Sequence, residues 1–248
     1  MCGRYASSRR PEDLIEEFEV VTDRTPAPLA ADYNVAPTKE VYAVVERPPA
    51  KDSPEPPERQ LRVFTWGLVP SWAKDPSIGN RMINARMETV AEKPAFKRAF
   101  AVRRCLLPAD GYFEWYPTSQ SNAKGKPVKQ PYFIRPADGG VLAMAGLYEI
   151  WRDQSLADDD PDRFRWTCTV LTTAAEDSLG HIHDRMPLMV ERERWGDWLD
   201  PRVGGEVSLL VPAAPGRLEA YPVPPLVSNV RNNGPELVEP LPLEDALS

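Results

Sequence analysis

Met1-Cys2-Gly3-Arg4-Tyr5 places a thiol directly behind the initiator position. Cysteine is small enough for the methionine before it to be removed, and removal leaves an α-amine and a thiol on adjacent carbons. The amine ordinarily titrates near ~7.7–8.0 and the thiol near ~8.5, so both are expected to be partly deprotonated at neutral pH. No other position in a chain offers that pair. An aldehyde can form a Schiff base with the amine and then be closed by the sulfur into a five-membered thiazolidine. The bland alternative is a small residue in a frayed terminus. Gly3 adds backbone freedom, and Arg4 adds a phosphate-seeking guanidinium beside the thiol.

Other chemistry-bearing residues are scattered. The two histidines, His181 and His183, lie in Gly180-His181-Ile182-His183-Asp184-Arg185-Met186-Pro187. On an extended backbone they would point the same way, but no third soft ligand sits nearby, so no metal is expected. His183 and Arg185, two apart, pair a titratable imidazole with a fixed cation. Glu114 lies between Phe113 and Trp115, where apolar neighbours would raise its pKa toward neutrality; otherwise it faces solvent. Asn84 and Arg86 can present an amide and a cation on one side of an extended loop, holding a phosphate and a catalytic group. Trp66, Trp72 and Pro37 can stack on or wedge between bases, although tryptophan in apolar stretches is usually core. Cys105 and Cys168 read as buried and inert.

These residues must be positioned by many short elements. Proline makes up 28 of 248 residues, about twice the usual share, which disfavours long helices. Strands are predicted over residues 41–45, 61–66, 105–116, 132–135, 141–147, 166–171 and 186–190. Helices are predicted over 11–20, from about 94, and over 192–199. Residues 80–89 read as a loop, 47–59 as a Pro-rich surface loop, and 33–38 as a turn leading into a strand. The expected fold class is α+β, a curled, barrel-like mixed sheet with flanking short helices, in a single domain over 1–248. No signal peptide or membrane span is legible. Three cysteines without CxxC spacing suit a reducing compartment, with cytoplasm as the default. Net charge is −7, yet residues 80–104 carry seven basic side chains against Glu88 and Glu92, a pattern suited to a narrow electrostatic site.

Six blocks occur in order: Met1-Cys2-Gly3-Arg4-Tyr5, Tyr33-Asn34-Val35-Ala36-Pro37-Thr38, Trp66-Gly67-Leu68-Val69-Pro70-Ser71-Trp72, Asn84-Ala85-Arg86-Met87-Glu88-Thr89, Cys105-Leu106-Leu107-Pro108-Ala109-Asp110-Gly111-Tyr112-Phe113-Glu114-Trp115, and His183-Asp184-Arg185-Met186-Pro187. In these the sequence closely resembles the SOS response-associated peptidase (SRAP) family, from residue 2 to Val227-Ser228-Asn229-Val230-Arg231-Asn232. Met87 and Phe113 depart from the residues more usual there. The resemblance implies a protein that captures abasic sites in single-stranded DNA as a thiazolidine crosslink, without a cofactor. By matching motif, Cys2 would be the nucleophile, and Asn84 would position it. Glu114 would orient the amine and move protons, and His183 would help open the sugar and promote the Schiff base. Arg4, Arg86 and Arg185 would hold phosphates, with Gly3 beside them. Trp66, Trp72 and Pro37 would shape a path that splays the strand. The family name also implies autocleavage before the cysteine, where only Met1 would be lost. Expected partners are abasic single-stranded DNA and no membrane, with the protein a monomer drawn to the nucleoid at damage. Two competing classes are a cysteine-type hydrolase acting in trans and a noncovalent reader of modified single-stranded DNA.

Overall fold

β-Branched and aromatic runs cut by proline and glycine fold here into short strands, with helices confined to the gaps. The structure, a computed structural model, describes residues 2–48, 53, 55–176, 179–242 and 244–247. The strands are β1 (Tyr5–Ser7), β2 (Thr22–Asp23), β3 (Asp32–Val35), β4 (Glu40–Arg47), β5 (Glu58–Trp66), β6 (Asn84–Arg86), β7 (Arg104–Ala109), β8 (Gly111–Ser121), β9 (Pro127–Pro136), β10 (Leu142–Arg152), β11 (Phe164–Ala174), β12 (Arg185–Pro187) and β13 (Leu218–Pro222). The α-helices are α1 (Pro11–Glu17), α2 (Lys97–Val102) and α3 (Trp195–Leu199). Among the described residues, no helix is long and apolar enough to cross a membrane.

β5, β4, β7, β10 and β11 pair antiparallel in that order, and β11 closes on β5 in parallel, Thr167 opposite Thr65 and Cys168 opposite Trp66. The result is the expected curled mixed sheet, closed into a barrel. β11 continues past the closure. There Thr172 pairs with Arg86 of β6 and with Pro187 of β12. One residue has two ladder partners only on opposite edges, so β6 and β12 flank the same strand end. A second, antiparallel sheet runs β13-β9-β8-β1-β3. β1 is set by Tyr5 opposite Tyr112 and Ala6 opposite Gly111, and Phe113 N donates to Arg4 O at 2.9 Å, which carries the ladder toward Cys2.

The barrel interior is packed by Val41, Ala43, Val45, Phe64, Trp66, Leu107, Met144 and Cys168, and this core is continuous with Cys2, Tyr5 and Tyr112. The helices cover the outside. Leu14 and Phe18 of the α1 region meet Trp195, whose ring stacks on Phe18 at 4.6 Å.

Several expected elements change in outline. The strand over 105–116 is two strands in different sheets. The chain corners at Asp110, whose N–H donates to Ala6 O at 2.8 Å and whose carboxylate accepts from Ser8 N at 2.6 Å. Gly111 follows because a Cβ there would lie 2.4 Å from the Phe133 ring and 2.6 Å from Ile134 O. The loop over 80–89 contains β6 and the end of a 3₁₀ helix, Pro76–Arg81. The first helix stops at Glu17, and Glu19 turns the chain at φ 53°. The segment 33–38 begins inside β3 and turns only afterwards, at Thr38 with φ 75°. The Pro-rich loop is shorter than 47–59, since Arg47 and Glu58–Arg59 belong to β4 and β5; residues 49–52 and 54 lie outside those described.

The basic run is also thinner than its sequence. Arg104 is buried, and its guanidinium donates to carbonyls of Phe100, Ala101, Trp198, Asp200 and Gly204 at 2.6–3.0 Å. It satisfies carbonyls at the C-terminal ends of α2 and α3, where helical C=O groups lack partners. Arg103 pairs with the buried Glu149. Arg81, Arg86, Lys93, Lys97 and Arg98 are the basic side chains of the run left exposed.

Candidate active site at the first strand

Cys2 is fully buried, against the expectation of a partly ionised thiol. Burial, and then the charge of Glu114, push the thiol far above its ordinary range, so it is held as S–H. Its weak donor contact is to Arg4 O at 3.9 Å. The Cys2 carbonyl accepts from the Asn84 carboxamide at 2.7 Å. Asn84 is delivered by β6 in register with Val170, and its Oδ1 is buried with no hydrogen-bond partner among the described residues. The loop entering β6 is fixed in turn, because Trp66 Nε1 donates to Ile83 O at 2.9 Å.

Glu114 sits on β8 opposite Tyr132 and is 4% exposed. Burial raises its carboxyl to about 7; Lys129 pulls it down and Asp184 pushes it up. A carboxyl at that value exchanges protons at neutral pH. Its influence on Cys2 and that of Asp184 on Glu114 put the thiol, the carboxyl and the 183–185 loop within electrostatic reach of one another.

His183 Nδ1 accepts from Arg185 N at 3.0 Å, so the neutral ring carries its proton on Nε2. Asp184 Oδ1 also lies 3.0 Å from Nδ1, a contact that attracts only if Nδ1 is protonated. The backbone N–H is the fixed partner, whereas the Asp184 side chain is 87% exposed and can turn away, so the Nε2–H tautomer stands. Burial, more than any charge, lowers the imidazole below its usual value and keeps it neutral at pH 7. Residues 179–182 form turns, Ile182 is buried in the core and His181 is exposed, so the two histidines do not form the extended pair considered from sequence.

The phosphate candidates separate by what they already hold. Arg86 is exposed with no hydrogen bond or ion pair from its side chain among the described residues. Arg185 grips Glu88 with both outer nitrogens, at 2.6 and 3.0 Å, and donates to Thr172 O at 2.7 Å. Arg4 donates through Nη1 to Asn34 Oδ1 at 2.7 Å and Val227 O at 2.9 Å, and lies over the Trp115 ring. Asn34 is a hub: its Nδ2 donates to the carbonyls of Val227, Asn229 and Asn232 at 2.9–3.2 Å. The Tyr33-Asn34 block and the 227–232 stretch therefore anchor the strand that carries Cys2, with Gly3 half-buried between anchor and thiol.

The tryptophans also separate. Trp66 is fully buried and tilts against Tyr5 at 5.1 Å, so its ring cannot meet a base; it is core. Trp72 is 60% exposed. Pro37 is half-buried beside the Thr38 turn, whose N–H donates to Trp66 O at 2.8 Å. Cys105 and Cys168 are buried as expected. A cavity of about 210 Å³ lies elsewhere, beneath Met186, Met189 and Trp195, and none of Cys2, Asn84, Glu114 and His183 lines it. Sequence reasoning missed Asn34, Glu88, Lys129 and Asp184. Asn34 and Glu88 stood within quoted motifs, whereas Lys129 had no signal beyond its charge.

A family model described as SOS response associated peptidase (SRAP) matches residues 1–230. Abasic site processing protein YoqW of Bacillus subtilis (strain 168) is 35% identical over 242 residues, covering 96% of this chain and 99% of that protein. Abasic site processing protein YedK of Escherichia coli (strain K12) is 33% identical over 250 residues, covering 97% and 100%. A solved structure from Bacteroides thetaiotaomicron superposes with a TM-score of 0.77 at 24% identity, over 97% of this chain and 100% of that one, and so shares the fold. With the family model spanning most of its length and its relatives aligned nearly end to end, this chain belongs to the SOS response associated peptidase (SRAP) family.

Proposed function

We propose that this protein, with Met1 removed, traps abasic sites in single-stranded DNA as a thiazolidine on Cys2. Relatives named as abasic site processing proteins support the substrate. The observation that carries the chemistry is the Asn84–Cys2 hydrogen bond set beside a buried carboxyl at about 7.

The open-chain abasic sugar presents an aldehyde. The α-amine of Cys2 attacks its carbon, and the carbinolamine hydroxyl takes a proton from the Glu114 carboxyl and leaves as water, giving the protonated imine and a Glu114 carboxylate. Sulfur then adds to the imine carbon. The C–S bond forms as the C=N π pair returns to nitrogen, and the thiol proton passes to Glu114. The sum is aldehyde plus aminothiol giving thiazolidine plus one water. His183, neutral with its proton on Nε2, serves ring opening of the sugar by proton donation. Arg86 and the exposed Trp72 supply a cation and a stacking face to the strand. Ring closure competes with elimination from the imine, so the strand stays largely intact.

The protein is incubated with a glycosylase-generated abasic oligonucleotide and resolved on a denaturing gel. The expected product is a resistant adduct whose intact mass is protein plus oligonucleotide less one water. Undiminished adduct from Cys2→Ala, or from protein that retains Met1, would falsify the mechanism. A trans-acting hydrolase needs a thiolate paired with imidazolium, and a buried neutral thiol and a neutral imidazole do not favour it.

A further inference from the structure

Beside the proposed site lies a group of rings that the trapping chemistry does not use. Tyr116 is 39% exposed. Its ring meets Tyr132 edge-on, centroids 6.5 Å apart at 81°, and is tilted on His181 at 6.4 Å and 60°. His181 is exposed, and Tyr132 is partly buried against the core that holds Cys2. Each ring is one short step from a residue of the site. Tyr116 follows Glu114 by two on β8, Tyr132 is directly opposite Glu114, and His181 precedes His183 by two. Next to them Lys129, opposite Pro117 on β9, is exposed and in no ion pair among the described residues. Its charge reaches both Glu114 and His183.

Exposed rings held in place by neighbouring rings, with an uncommitted ammonium at their edge, fit a flat apolar ligand that carries an anion. A nucleobase on its phosphate backbone is such a ligand, and aromatic faces take any base because every base has a π-face. Held beside Glu114, the base would be that of a nucleotide adjoining the trapped sugar. We propose that Tyr116, Tyr132 and His181 form the stacking platform for a nucleobase neighbouring the abasic residue, with Lys129 on the adjoining phosphate. The proposal rests on the abasic-site reading above and adds to it a subsite for intact sequence.

The test uses single-stranded oligonucleotides carrying a tetrahydrofuran residue, which lacks an aldehyde and cannot crosslink. In one set the neighbours are adenines. In two others the 5′ or the 3′ neighbour is also tetrahydrofuran. Wild-type protein is expected to lose about tenfold in equilibrium affinity when one particular neighbour loses its base. Tyr116→Leu should erase that difference and Tyr116→Phe should keep it. Lys129→Ala should weaken all three oligonucleotides alike and flatten the salt dependence by about 0.7 in log–log slope. Equal weakening of every oligonucleotide by Tyr116→Leu, or indifference of the wild type to both neighbours, overturns the platform even if abasic DNA is still crosslinked. Failure to bind any of the three and to form adduct on true abasic DNA overturns the abasic-site reading itself.

Discussion

Glu114→Gln separates stability from chemistry at one position. The wild-type carboxyl moves from an ordinary 4.5 to about 7 because it is buried. The native state therefore holds this proton more tightly than the unfolded chain does. Stability is lost as pH rises between 4.5 and 7, and the loss is constant above that. At ~1.4 kcal/mol per tenfold in proton affinity, the full cost is about 3 kcal/mol at pH 8 and below about 1 kcal/mol at pH 5. Glutamine keeps the shape and cannot ionise. The variant should thus match the wild type closely at pH 5 and be more stable by up to ~3 kcal/mol at pH 8, roughly 6–12 °C in Tm for a chain of 248 residues. Adduct formation should slow at the same time, since the proton acceptor for the thiol is gone, and the rise of its rate with pH near 7 should flatten. Thermal unfolding at pH 5, 6, 7 and 8, with single-turnover crosslinking in the same buffers, reads both effects. A stability difference that does not change with pH, or a variant less stable at pH 8, refutes the claim that burial strains this carboxyl.

Asn84→Ala leaves the Cys2 carbonyl without its donor, at ~1–3 kcal/mol for a buried acceptor; single-turnover adduct formation should slow by roughly tenfold to a hundredfold while a strand of abasic analogue still binds. Trp66→Ala should cost ~3–5 kcal/mol in urea unfolding, whereas Trp72→Ala should leave stability within ~0.5 kcal/mol and weaken single-stranded DNA by ~1–3 kcal/mol. Arg86→Ala should reduce the log–log salt slope of binding by about 0.7 with the fold intact. Arg104→Met should instead destabilise the protein, at ~1–3 kcal/mol for each carbonyl left unmet, and leave the salt slope of the folded fraction unchanged.

The contrast between those last pairs marks what the sequence could carry. The strand runs and the absence of regular strand–helix alternation were enough for a curled mixed sheet, because hydrophobic pattern is local. A barrel-like curl was legible, but which strands would close it was not, since β11 on β5 joins residues about a hundred positions apart and leaves no periodic trace. Trp66 and Trp72 share one short motif, but Trp66 ends β5 inside the core and Trp72 lies exposed in the turn that follows. Arg86 and Arg104 are equally basic letters, but one follows a short strand into solvent and the other caps two helix ends that a pattern cannot bring together. Asp110-Gly111 reads as the middle of an alternating strand until Phe133 arrives from β9 and fills the space a side chain would need. Cys2, Asn84, Glu114 and His183 were named as candidates through the resemblance, but the contact of Asn84 with Cys2 was not legible, because it depends on β6 pairing with β11 and on β1 pairing with β8.

The burial of Cys2 bears on the order of events. An amide carbonyl is a weak electrophile, and a cysteine hydrolase meets it with a preformed thiolate. A thiol kept as S–H in an apolar pocket is unsuited to that task. A protonated imine is a far stronger electrophile, and a neutral thiol can add to it if a base nearby takes the proton as the C–S bond forms. Glu114, near neutrality and close enough for its charge to act on the thiol, is the base proposed for that proton. In the proposed sequence the amine must therefore act first, and sulfur reacts only after an aldehyde has been captured. The same desolvation that silences the thiol toward peptides would keep it from oxidation until then. Replacing Asn84 should loosen this ordering as well as slow it: a Cys2 no longer held by its carbonyl should become reactive toward a small alkylating reagent in the absence of DNA, and a variant whose thiol stays as unreactive as the wild type's would count against burial as the device that sets the order.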